Sequence, residues 1–204
     1  MPAASWILGV LFPNASPSGH VPGAEVIEPG MILNTDRLHL RPLAPRDCEA
    51  LFAIMGDAEA MRYWDWPAFR ELQTVHEVVA SQITSMDAGE ARYWAVCLSR
   101  TGAAIGTCDM SDIDYHHGRA EVGFAFHRSH WGSGYAFEAM SAILPYAFNE
   151  MNLERLGARL HAGNHASRRL LERLGFSFEG RLIGHVVRDG LRRDCLLYGL
   201  LRTG

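Results

Sequence analysis

Hydrophobic positions change period several times along this chain, and each change marks an element. Arg37 to Arg41 alternates polar and apolar residues, the period of a half-buried strand, and Pro42 and Pro45 end it. Asp47 is placed to cap a helix carrying Leu51, Phe52 and Met55 on one side, with Gly56 as its stop. A second helical stretch runs from about Leu72 to Met86. Three strand-like runs follow: Tyr93 to Leu98, Ala104 to Ile113 and Arg119 to His127. Gly102 and the His116-His117-Gly118 cluster supply the turns between them. From Tyr135 to about Asn149, Phe137, Met140, Ile143, Leu144, Ala147 and Phe148 fall near helical spacing. Pro145 lies inside that stretch and removes a hydrogen bond, so a kink or early fraying is expected there. Then come a strand (Arg155 to Ala162) and a short helix with Leu170, Leu171 and Leu174 on one side, stopped by Gly175. Two last strands meet at Asp189-Gly190, a strong two-residue hairpin signal. The order β-α-α-β-β-β-α-β-α-β-β describes an α/β protein, a mixed sheet with helices packed on it.

Composition narrows this picture. The 204 residues are 48% hydrophobic and 21% charged, which suits one domain with one well-buried core. Residues 1–31 read differently: Pro, Gly, Ser and Ala dominate, Lys and Arg are absent, and no period appears. They read as a loosely ordered extension, or as the product of a start codon placed too far upstream, with the folded domain over residues 32–204. Trp6 to Phe12 is the nearest thing to a signal-peptide core, but no Lys or Arg precedes it and no clear cleavage site follows. A formal charge of -4 gives no sign of a nucleic-acid partner. No apolar run approaches bilayer length. Four cysteines without CxxC spacing suggest neither disulfides nor zinc, so a reducing cytoplasm is the expectation. Ten histidines form no metal motif, and His116-His117 reads as a turn.

The segment that carries chemistry starts at Glu121. A strand leads through a loop, Trp131-Gly132-Ser133-Gly134, into the helix at Tyr135 and Ala136. Free N–H groups and the positive dipole end of a helix start favour an anion, and glycines let the backbone approach it. A phosphate or pyrophosphate site is the physical reading. Phe137 stands where a dinucleotide fingerprint needs its third glycine, and the Gly-Lys-Ser/Thr of a P-loop is missing.

Three segments in family order resemble the GNAT N-acetyltransferases, nearest their RimJ/RimL-like branch, which acetylates ribosomal proteins. Ala120-Glu121-Val122-Gly123-Phe124 with Trp131-Gly132-Ser133-Gly134-Tyr135-Ala136-Phe137-Glu138-Ala139 is similar to the acetyl-CoA motif. Asn164 to Phe176 resembles the family's downstream "N-x-x-S-x-x-h-h-E-x-h-G-F" segment, and Asn34 to Pro42 its opening strand. Trp131 replaces the Gln or Arg common in the wider superfamily, and the extension is unexplained by the family.

The resemblance implies a sheet splayed between the strand at Glu121 and the strand at Arg155. Pantetheine would pair with backbone around Phe124, Ala125 and Phe126. The loop Trp131, Gly132, Ser133, Gly134, Tyr135 and Ala136 would hold the pyrophosphate, and no metal is implied. The side chains of Phe124 and Phe126 share a face with Val122 and read as core. Glu121 is the candidate base, or else a solvated or ion-paired carboxylate. Ser167 is the candidate acid for the leaving thiolate, with Asn164 on pantetheine; either could instead serve the helix start. Tyr198 is a weaker acid candidate. Cys108 reads as a buried small hydrophobe. Tyr63, Trp64 and Trp66 lie where such enzymes shape the acceptor pocket, as a substrate clamp or as a plug over the core. The implied partner is an amine acceptor, a protein N-terminus or a small molecule such as a drug, polyamine or amino acid, handled by a monomer or homodimer. A non-catalytic acyl-CoA-binding module is the alternative from another class.

Overall fold

The computed structural model describes residues 31–202. The extension lies outside the described residues except for Met31, whose carbonyl accepts the Trp94 indole N–H at 3.0 Å. Eight strands form one sheet: β1 (Leu33–Asn34), β2 (Leu38–Pro42), β3 (Arg92–Leu98), β4 (Ala104–Asp114), β5 (Arg119–Phe126), β6 (Arg155–His161), β7 (Ser177–Arg188) and β8 (Leu191–Leu201). Four α-helices accompany them: α1 (Cys48–Met55), α2 (Leu72–Asp87), α3 (Tyr135–Pro145) and α4 (His165–Arg173). The strand order is β1-β2-β3-β4-β5-β6-β8-β7. All neighbours are antiparallel except β5 and β6. A parallel pair needs a long crossover, and α3 supplies it.

Both sheet faces are covered, which explains why β3 is buried at nearly every position. Trp94 and Val96 join Leu38, Leu40, Met110, Val122, Met140, Ile143 and Leu156 in the larger core under α3 and α4. Tyr93, Ala95 and Cys97 face the other way, into a core with Leu51, Met61, Val75 and Val79 under α1 and α2.

One local detail differs from the sequence pattern, and two follow it. Asp47 precedes α1 but makes no cap hydrogen bond to it. Its buried carboxylate turns back to the Ala44 N–H at 2.9 Å and to Arg41, because a paired guanidinium satisfies a buried charge better than a frayed helix end. At Pro145 the α-helix ends and a wider π-type turn, Tyr146–Glu150, continues it, as the missing N–H requires. The hairpin turn has positive φ at both Asp189 and Gly190, the type I′ form its sequence indicated.

Candidate active site

The site lies where β5 and β6 part. They pair only at Arg119↔Arg155, Ala120↔Leu156 and Glu121↔Gly157. Beyond that point β5 stays on β4 as far as Phe126↔Gly106, while β6 stays on β8 as far as His161↔Cys195. The His127 N–H donates to Ile105 C=O on the β4 side at 2.9 Å. Ladder alternation therefore turns the backbone groups of Phe124 and Phe126 to the opposite edge, which has no strand partner past Glu121. The Phe126 carbonyl takes the Trp131 indole N–H at 2.8 Å, so that tryptophan ties the following loop to the strand. Phe126 itself is core, and Phe124 packs against the same cluster.

The loop after β5 is built for an anion. Gly132 and Gly134 have φ of 73° and 82°, the left-handed region that favours glycine. Gly134 is the N-cap of α3 and has no side chain to occupy the first-turn N–H groups. Among the described residues, no backbone carbonyl accepts from the N–H groups of Gly132 to Phe137. They form a nest at a positive helix end, next to the open edge of β5. Pantetheine pairing along that edge and a pyrophosphate in the nest fit what is present.

A network that the sequence patterns do not reveal holds this loop in place. Arg37 donates to the Ser133 carbonyl at 3.1 Å and to Glu138 at 2.6 Å, and its guanidinium lies 4.5 Å from the Tyr135 ring centroid. Thr35 donates to the same Glu138 at 2.5 Å. These residues lie inside the two segments whose resemblance was noted, and their pairing supplies the physical reason those segments go together.

Glu121 points to the α1/α2 face. Gly157 lies directly beneath its carboxylate, and a Cβ on Gly157 would overlap it. Glu121 as a whole is exposed to solvent, and it is the carboxylate end, lying against Gly157 and β5's neighbours, that protein crowds. Burial pushes it up to about 7, aided by Asp112 and opposed by Arg155, Arg159 and Arg119. Asp109, which pairs with Gly123 on the neighbouring strand, shares this face. Burial and Asp112 raise Asp109 to about 7 as well. Replacing Gly157 by Ala should displace the Glu121 carboxylate and lower kcat about a hundredfold. Acetyl-CoA affinity, read by calorimetry, should stay within about twofold, since the nest is remote from this position.

Asn164 is the α4 cap: its Oδ1 accepts the Ser167 N–H at 3.1 Å. Ser167 is therefore not the cap, and its hydroxyl stays available. Tyr198 is buried on the α4 side of the sheet and donates to Glu172 at 3.3 Å, away from Glu121. Cys108 is wholly buried on the face opposite Asp109, and burial pushes its thiol well up.

The loop between α1 and α2 straps the mouth of the gap on the α1/α2 face. Asp57 pairs with Arg128 after β5 at 3.0 Å, and the Tyr63 ring packs on Gly163 after β6. Asp65 takes Arg159 and His161, each at 2.8 Å. Burial pulls the Asp65 carboxyl upward, but those two hydrogen bonds outweigh it and hold it at about 2. Trp64 and Trp66 meet edge to face at 5.3 Å and are half-buried against the smaller core, so they anchor the strap. Among the described residues no cluster suited to a metal occurs, and no helix is long and apolar enough to cross a membrane.

A splayed parallel pair, free N–H groups at a helix start and a carboxylate near neutrality suit an acyl-CoA-dependent transferase. The acetyltransferase (GNAT) domain model matches residues 37–177, and the chain belongs to that family. An uncharacterized N-acetyltransferase, p20, of Bacillus licheniformis is 31% identical over 83% of this chain and 96% of its own. RimL, a ribosomal L7/L12 alpha-N-protein acetyltransferase solved with coenzyme A, superimposes with a TM-score of 0.77 at 19% identity, over 84% of this chain and 98% of that one. Spermidine N-acetyltransferase of Vibrio cholerae, solved with CoA and spermine, gives 0.74 at 23% identity over 82% and 96%. The protein is an N-acetyltransferase that uses acetyl-CoA, with the mixed α/β fold of its family.

Proposed function

We propose that this enzyme moves acetyl directly to a primary amine in a ternary complex, with protein N-terminal α-amines as its preferred acceptors. The observation that carries the reading is the Glu121 carboxylate, poised near 7 over Gly157 at the last pair before the strands part. An α-amine titrates near 7.7–8.0 and a lysine near 10.4, so a base at about 7 matches the α-amine far better. Acetyl-CoA, when bound, supplies the activated thioester. Glu121 takes the ammonium proton so that nitrogen attacks as a neutral nucleophile. The N–C bond forms as the C–S bond breaks; Ser167 donates a proton to the departing sulfur, and the new amide nitrogen sheds its second proton to solvent, from which Ser167 is reprotonated. Asn164, holding the start of α4, sets where that hydroxyl stands. The Asp65–Arg159–His161 contacts and Tyr63 shape the acceptor side. We take it to act as a monomer or homodimer in a reducing cytoplasm, where its four buried, unpaired cysteines stay reduced.

A polyamine acceptor is the second reading, favoured by the carboxylates of Glu121, Asp109 and Asp112 on or beside one face. Initial rates of CoA release separate the two. Acceptors would be a peptide with a free α-amine, an N-terminally blocked lysine peptide, and spermidine. The free α-amine should be preferred by tenfold or more; faster turnover of spermidine would reverse the assignment. Ser167→Ala should lower kcat about a hundredfold while leaving KM for the amine near its wild-type value.

A further inference from the structure

A cavity of about 600 Å³ opens between the Arg62–Tyr63 segment, the turn after β6 and the end of the β7–β8 hairpin. The transfer chemistry makes no use of it. Arg62, Arg188, Arg192 and Arg193 line it, against only Asp189 and Asp194. Asp194 is already engaged by Arg181 at 2.7 Å and by the Gly184 N–H at 2.7 Å. Asp189 is 70% exposed and approaches Arg188 only to 3.4 Å. The Arg188 side chain is only 12% exposed, and among the described residues its buried Nε has no hydrogen-bond partner. A guanidinium so enclosed is poorly satisfied unless an anion joins it.

Register places this basic end on the acceptor face. Cys195 pairs with His161 and Leu191 with Arg188, and Leu191, Arg193 and Cys195 alternate onto one side of β8. Arg188, Arg193 and His161 therefore share the face that carries Gly157 and, over it, Glu121. From Gly157 to His161 is four strand residues, roughly 13 Å. Between them Arg159 and Asp65 neutralise each other. Arg193 lies two residues beyond Cys195 and Arg188 further still, so the face is bipolar, with carboxylates where the amine reacts and arginines roughly 20 Å or more away.

We propose that this cavity is an anion subsite for the acceptor, and that the acceptor is a peptide whose N-terminal amine is followed, five to seven residues on, by Asp or Glu. The proposal rests on the α-amine reading above. An extended peptide covers the separation to Arg193 in about six residues. Arginine forks bind carboxylates bidentately, whereas a polyamine would bring a second ammonium against like charge.

The test uses three peptides identical except at residues 6–8, which are acidic, neutral amide or lysine, together with spermidine. Both kcat/KM and calorimetric binding in the presence of CoA are measured. The acidic peptide should bind and react at least about tenfold better than the neutral one. Arg188→Met should bring that ratio toward one. Arg193→Gln, an exposed position that does not threaten folding, should move it the same way. Equal binding and turnover of acidic and neutral peptides would overturn the subsite while leaving the α-amine reading intact. Preference for spermidine or the lysine peptide would overturn both. Arg188-dependent binding of the acidic peptide without turnover would keep the subsite and remove the α-amine reading.

Discussion

Glu121→Gln is expected to lower kcat/KM by about 10²–10⁴-fold at pH 7 and to remove the acid limb of the pH profile. The glutamine keeps the shape over Gly157 but accepts no proton, so binding of acetyl-CoA should be unchanged. The sign follows from the direction of the shift. Burial and Asp112 raise Glu121 from 4.5 to about 7, and the active base is its deprotonated form. Wild-type activity therefore rises with pH through about 7 and falls away below it, in contrast to an ordinary carboxylate, whose limb would lie near 4.5. Asp109 titrates in the same range and shares the face, so the observed limb belongs partly to both groups. The Asp109→Asn profile apportions it: a limb that survives there and vanishes in Glu121→Gln assigns the base. A Gln variant within threefold of wild type, with the same pH dependence, would rule Glu121 out as the base.

Gly134→Glu should weaken acetyl-CoA at least a hundredfold. Its φ of 82° is strained for any side chain, which costs about 1–3 kcal/mol, and the new carboxylate would face the pyrophosphate at a helix N-terminus. A Cβ there would come only to 3.5 Å from the Arg37 guanidinium, an ordinary contact, so the fold should survive. Gly134→Asn serves as the control, since Asn tolerates the left-handed region and carries no charge. It should lose far less than the Glu variant. Calorimetry on both, beside their melting curves, separates charge from strain. Full affinity in Gly134→Glu would move the pyrophosphate elsewhere.

Much of the machinery was legible because it is local. Gly132 and Gly134 before an amphipathic helix spell out a nest from backbone rules alone. Asp189-Gly190 writes its own turn, and Pro145 its own helix end. The alternation of Val122, Phe124 and Phe126 correctly put Glu121 on the other side of the strand. Asp47 shows where local rules stop: a good cap residue turned instead to Arg41, six residues back, because burial made ion pairing decisive. Asn164 could be read on paper as a helix cap or as a pantetheine contact, and the fold shows it capping α4 by taking the Ser167 N–H.

By itself, the sequence determined every element but the two-residue β1, the order of the others, the glycine loop before α3 and the family to which the chain belongs, since each depends on residues within a turn or two of one another. Tertiary structure alone decided the rest. The point where β5 leaves β6 is a matter of register between strands about 36 residues apart. The same register laid Glu121 over a glycine, set Asp109 on its face and turned Arg188 and Arg193 toward the α1/α2 face. The strap on Arg159 and His161 joins Asp65 to a strand more than 90 residues away. Charges raised or trapped in this way owe their state to desolvation by neighbours far along the chain, and no local pattern records it.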